Sequence, residues 1–214
     1  MLSSEVIDTV LRSLYVSGAA TILSLTWSIP ASYILALKQR TGLVEALLET
    51  LVGMPTVLLG LLLYFLFSSS GPLAPLRLLY TPQAMIVGEA ILVTPLIIST
   101  SHRLLRNAVT TYSELALSLG ASRGQAMTLI LRETSPGIIA SAVMGFSRAV
   151  GELGIAMMVG GNISGYTRVA TTAIALGVSR GEFEEAATLG LILLAIMLVV
   201  ALALKSLNRV YEKW

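Results

Sequence analysis

Long apolar runs, rather than alternating apolar and polar positions, dominate this chain. Five are long enough to cross a bilayer: Leu14–Leu37, Leu47–Phe67, Ala84–Thr100, Ile138–Val159 and Ala186–Leu204. A spanning helix needs about 20 predominantly apolar residues, and about 17 suffice. Lipid offers the backbone no hydrogen-bond partner, so each run is expected to be a helix. Strict apolar–polar alternation, the mark of a membrane β-barrel, is missing. The expectation is one all-α integral membrane domain, residues 1–214, with five transmembrane helices. Between runs two and three, "SSSGPLAPLRLLYTPQ" reads as loop. Val169–Val178 is apolar but too short to span, and reads as a small helix at the membrane surface.

One interruption is polar and broken by glycine: residues 111–133, "TYSELALSLGASRGQAMTLILRE". Thr111 and Glu114 have the spacing of a capping box, which predicts a helix start. Leu115 and Leu119 would share one face of that helix, with Ala116 beside them. Gly120 suits a left-handed helix end, where a Cβ is costly. Ser122 and Gln125 form a second box, restarting a helix through Met127, Leu129 and Ile130. The local prediction is therefore helix, glycine turn, helix. A first helix of about two turns is not stable alone in water and needs a surface to pack on. That surface is either its own bundle or a separate partner.

Composition agrees with a membrane protein. The chain is 55% hydrophobic and 12% charged, with a mean hydropathy of +0.84, against about 25% charge in soluble domains. Charge also predicts orientation, because Lys and Arg collect on the cytoplasmic side. Lys38, Arg40, Arg103, Arg106, Arg123, Arg132, Lys205, Arg209 and Lys213 fall on one side of the five spans. Arg12, Arg77, Arg168 and Arg180 fall on the other. The N-terminus is thus expected outside, with the C-terminus and the 111–133 loop in the cytoplasm of a plasma-membrane protein. Glu5 and Asp8 precede the first run, so the chain does not open as a basic cleavable signal. Cysteine is absent, which excludes disulfides and Cys-based metal sites. Basic residues are dispersed, so nucleic acid is not an expected partner.

A resemblance enters at the interruption. Glu114, Ala116, Gly120 and Ile130 match the E-A-A, three residues, G, nine residues, I-x-L-P loop of ABC importer permeases. Leu115 stands at its second position, and Arg132-Glu133 replaces the closing Leu-Pro. From Arg148, "RAVGELGIAMMVGGNISGYTRVATTAIALGVSRGEF" is similar to permeases of molybdate- and tungstate-type oxyanion importers, most of all the tungstate branch. "LVGMPTVLLGLLLYFLFSSSGPL" at 51–73 resembles the same branch. The resemblance implies the type I importer fold with a cytoplasmic coupling helix. It also implies a homodimer, two copies of an ATP-binding subunit, and an extracytoplasmic binding protein that delivers the anion. The expected contacts to the ATPase are Ser113, Glu114, Leu115, Ala116, Leu119, Gly120, Ala121, Ser122 and Arg123. No Gly-Lys dipeptide occurs, so a Walker A loop is absent. ATP and Mg would be bound by the partner; this chain is expected to hold no cofactor, no metal and no catalytic residue. Phosphate or sulfate importers of the same architecture, or a nucleotide-independent secondary transporter, are the rival readings.

Candidate pathway residues follow from polarity at membrane depth. Arg148 and Glu152 are four apart, either an ion pair holding helices in register or part of an anion pathway. Glu89 is a second buried-charge candidate, paired with Arg148 or hydrated near the outer third of its span. Thr56, in the Gly53-Met54-Pro55-Thr56 cluster, marks either packing or a flexible point. Met157 is expected in packing; Gly161, Asn162 and Thr171 belong to a satisfied loop or to an anion exit. His102 is expected at the cytoplasmic interface.

Overall fold

A computed structural model describes residues 4–38 and 40–211, with side chains followed as far as Ala203. The side chains of Lys205 and Arg209, and all of Lys213, lie outside the described residues. The described helices are α1 (Ser4–Ala36), α2 (Gly42–Val52), α3 (Thr56–Phe67), α4 (Pro82–Ser118), α5 (Arg123–Glu133), α6 (Ser135–Val150), α7 (Ala170–Arg180) and α8 (Phe183–Tyr211). The short apolar piece near 170 does form a small helix, α7.

Five continuous spans are not what forms. Three helices, α1, α4 and α8, are individually long and apolar enough to cross a membrane, and α2 and α3 are a bent pair. The second predicted span breaks at Gly53-Met54-Pro55, where α2 and α3 meet at 92°. Pro55 is extended there, and α3 starts on its carbonyl. The fourth predicted span stops at Val150, with Gly151 as its C-cap. At 16 residues α6 is about 24 Å long, short of a hydrocarbon core of about 30 Å. A separate π-helical turn, Ala156–Gly160, completes the run and ends at Gly161 in the left-handed conformation. The third predicted span is longer than expected. It runs on through Pro95 as a 37-residue helix to Ser118.

That continuity removes the predicted helix start at Thr111. The Thr111 hydroxyl donates to the Asn107 carbonyl one turn back, as a mid-helix threonine does. Nothing upstream breaks the helix, because Leu105 and Ala108 are buried against Ile130 and Ala36 and hold it in register.

α1 packs chiefly on α4. Its facing stripe is hydroxylic: Thr9, Ser13, Ser17, Thr21, Ser24, Ser28 and Ser32 recur every three or four residues, and all are buried. Small side chains let the two backbones approach, and hydroxyls bridge them in place of hydrophobic burial. Ser17 donates to Glu89, Ser24 bonds the Thr94 hydroxyl, and Ser32 donates to the Ile98 carbonyl. The paired numbers rise together, so α1 and α4 run in the same direction. Apolar bulk points the other way: Ile22, Leu194, Leu198 and Val199 are each more than half exposed, as lipid contact requires.

Two ends result. At one, Arg12 donates to the carbonyls of Arg168 and Gly165, and Arg168 pairs with Glu5. At the other, α5 and the second half of α4 pack around Ala36, Leu105 and Ile130, and α2 lies against α4. Arg12 and Arg168 lie at the first end, and Arg103 and Arg106, paired with α2, at the second.

Candidate functional site

The glycine turn between α4 and α5 is closed by backbone bonds. Ala121 N–H donates to the Ala116 carbonyl and Gly120 N–H to that of Leu117. This double pattern terminates a helix only if the residue between can be left-handed, and Gly120 has φ +86°. The second capping box forms as predicted: Gln125 N–H donates to the Ser122 hydroxyl and Ser122 N–H to the Gln125 side-chain oxygen. Ala116 is buried, while Glu114, Leu115, Leu119, Gly120, Ser122 and Arg123 are exposed and Ser113 and Ala121 half-buried. Leu119 is 80% exposed, and Leu115, Leu117 and Met127 are exposed around it. A monomer in water would not leave such a knob uncovered. At Arg132-Glu133 the chain makes its exit without Leu-Pro. α5 runs to Glu133, buried Thr134 donates to the Ile130 carbonyl, and Pro136 opens α6.

Deeper in the bundle Glu152 is a hub. Its Oε2 takes the Arg148 guanidinium at 2.9 Å. Its Oε1 accepts from the Ile155 amide at 3.1 Å, which caps the segment after the break. Its carbonyl accepts from the Thr171 hydroxyl at 2.7 Å, which ties in α7. The Glu152 side chain is 2% exposed and that of Arg148 36%. One residue thus ends α6, starts the next turn and holds α7, with a guanidinium left partly open beside it.

Of the other candidates, Thr171 bonds to this hub directly, and Glu89 and Thr56 lie close to it. Glu89 does not pair with Arg148; it is buried and accepts from Ser17. Thr56 abuts Gly154: a Cβ there would lie 2.7 Å from the Thr56 hydroxyl and 2.8 Å from the Val57 nitrogen. The two helix breaks, at 53–55 and 151–153, therefore meet. Met157 is not packed away but 43% exposed, and with Gly161, Tyr64 and Tyr80 it lines a pocket of about 470 Å³. Asn162 accepts from Arg168.

His102 departs from expectation. It is 1% exposed, and its Nε2 lies 3.0 Å from Glu45, which also receives Arg106 at 3.0 Å and the Thr41 hydroxyl. This cluster was not foreseen, because its members are 57 and 61 positions apart. The hydroxyl stripe of α1 was also missed, although its spacing is visible in the sequence.

Residues 28–214 match the model of the binding-protein-dependent transport system inner membrane components. The chain belongs to that family. It is a permease, a transport subunit and not itself an enzyme. It is 37% identical to the tungstate uptake system permease protein TupB of Peptoclostridium acidaminophilum, over 95% of this chain and 90% of the relative. A probable anion ABC transporter permease protein of Haloferax volcanii is 35% identical over 88% and 84%. TupB of Campylobacter jejuni is 37% identical over 72% and 64%. For a permease, the two juxtaposed helix breaks are the notable geometry: transporters tolerate interrupted helices at membrane depth where backbone lines a cavity or is buried in protein.

Proposed function

We propose that this permease carries tungstate into the cell, driven by a separate ATP-binding subunit and supplied by an extracytoplasmic binding protein. The likeness to a tungstate permease along 95% of the chain carries this reading. The end bearing Arg103, Arg106, Arg123 and Arg132 faces the cytoplasm, and the N-terminus faces outward, as the asymmetry of charge favours. Two copies of the permease pair, and each seats one ATPase on its Gly120 turn, where the exposed Leu115 and Leu119 knob supplies apolar contact and Glu114 and Arg123 a polar rim. ATP and Mg belong to that partner.

The cargo reading assigns Arg148 the role of drawing the anion inward. Glu152 neutralises it in part, which keeps the attraction weak enough for release. Thr56, Glu89, Met157, Gly161, Asn162 and Thr171 support the path by shape and packing rather than by direct charge.

Vesicles holding permease and ATPase, supplied with the binding protein, test this. Uptake is expected with tungstate and ATP, weaker with molybdate, and absent without ATP. Uptake that needs no nucleotide would refute the mechanism. A preference of the complex for sulfate or phosphate would refute the cargo and leave the mechanism standing.

A further inference from the structure

The helices on either side of the 92° bend are attached in different ways. α3 is held by apolar packing: Leu59, Leu63 and Phe67 share a buried cluster with Met85, Ile155 and Val159. Gly60 lies so close to Met158 that a Cβ there would sit 3.0 Å from it. α2 has no buried residue, and among the described residues none of it joins a buried apolar cluster. Its side-chain anchorage to α4 is ionic: Glu45 to His102 and Arg106, and Glu49 to Arg103. Its outer face, Leu43 and Leu47, is exposed. Between them, Gly53 N–H and Met54 N–H bond only to Thr50 and Leu51 behind them, so no backbone bond from these two reaches α3.

We propose that Glu45 and Glu49 make α2 a transmission arm, strapped to the half of α4 beyond Pro95 and hinged at Gly53-Met54-Pro55, so that α2 follows that half while α3 stays with the core around Met85. This rests on the reading of the Gly120 turn as the ATPase seat. α4 then links that seat, without a break, to His102, Arg103 and Arg106. Such ion pairs add little stability when exposed. Their value here is direction: three contacts spread over two adjacent turns of α4, at His102, Arg103 and Arg106, fix which way α2 is pulled. The hinge of α2 lies beside the contact of Gly154 with Thr56, so a swing of the arm bends the chain at the crossing of the two interrupted helices.

The test uses the assembled permease–ATPase complex in vesicles, with binding protein and tungstate. Glu49→Arg and Arg103→Glu are made singly and together. Each single reversal is expected to lower tungstate uptake per ATP hydrolysed about fivefold, the lower end of ordinary coupling between sites. The ATPase should still co-purify, and the double reversal should restore most of the ratio. A flexible bis-maleimide cross-link between cysteines at 49 and 103 should leave uptake intact, because the arm and α4 move together. Normal coupling in both single reversals, no rescue in the double, or arrest by the flexible cross-link would each overturn the strap. If the wild-type complex shows no ATP-driven uptake, the transport reading falls first and the strap with it.

Discussion

Replacing Gly120 with valine isolates the turn from everything around it. A Cβ at Gly120 would meet nothing within 4 Å, so the substitution carries no steric clash with neighbours. The whole cost lies in the backbone, which must hold φ +86°. The left-handed region costs an L-residue about 1–2 kcal/mol, and a β-branched side chain stands at the upper end. That is about a thirtyfold shift against the native turn, enough to weaken the Ala121–Ala116 and Gly120–Leu117 bonds but far too little to unfold the membrane bundle. Gly181 is a matched control. It has φ +81°, open space around it, and the same double bond pattern, with Glu182 to Gly177 and Gly181 to Val178. Gly120→Val and Gly181→Val should therefore lower the melting temperature of the purified permease by similar amounts. Only Gly120→Val should separate ATP hydrolysis from tungstate uptake in vesicles. Wild-type uptake per ATP in Gly120→Val, or equal uncoupling in Gly181→Val, would refute the assignment of the turn.

Other substitutions probe the interior. Arg148→Ala leaves Glu152 buried without its cation; removing one partner of a buried pair costs about 3–5 kcal/mol, and the partial exposure of Arg148 puts this case at or below the low end. Adding Glu152→Gln, which keeps an acceptor for the Ile155 amide, should recover part of the lost melting temperature; a double variant no more stable than Arg148→Ala contradicts the pairing. Gly154→Ala drives a methyl into the Thr56 hydroxyl and the Val57 nitrogen, an overpacking cost of about 1–3 kcal/mol. Thr56→Ala in that background should relieve only part of it, since the backbone contact remains; an unaltered melting curve for Gly154→Ala would show that the two breaks are not in tight contact.

The parts of this architecture that were readable in the sequence depend on neighbours along the chain. Gly120 and the Ser122–Gln125 box are local, and both form. The Thr111 box is equally local and does not form, because burial of Leu105 and Ala108 carries α4 through it. Hydropathy found the apolar runs but averages over a span, so the single residues Pro55 and Gly151 vanish into runs two and four. Those two residues are nonetheless where the helices break. Arg148 and Glu152 meet as their spacing suggests, but across a helix end rather than along one face. Glu89 went to Ser17 rather than Arg148, and His102 went to Glu45, because partners far apart in sequence are chosen by packing.

The hydroxyl stripe of α1 bears on the order of assembly. α4, its main partner, follows two intervening helices, and synthesis at about 5–20 residues per second leaves α1 alone in lipid for seconds. Seven naked hydroxyls would make that wait costly. Ser13, Thr21 and Ser32 instead donate to the carbonyls of Thr9, Ser17 and Ser28, one turn back in their own helix. α1 is thus insertable before its partner exists. Ser17 bonds Glu89, and Ser24 bonds Thr94 as well as Ser28 of its own helix, so the contacts to Glu89 and Thr94 form only when α4 arrives. The stripe is both a passport into the bilayer and a recognition code for the helix that comes later.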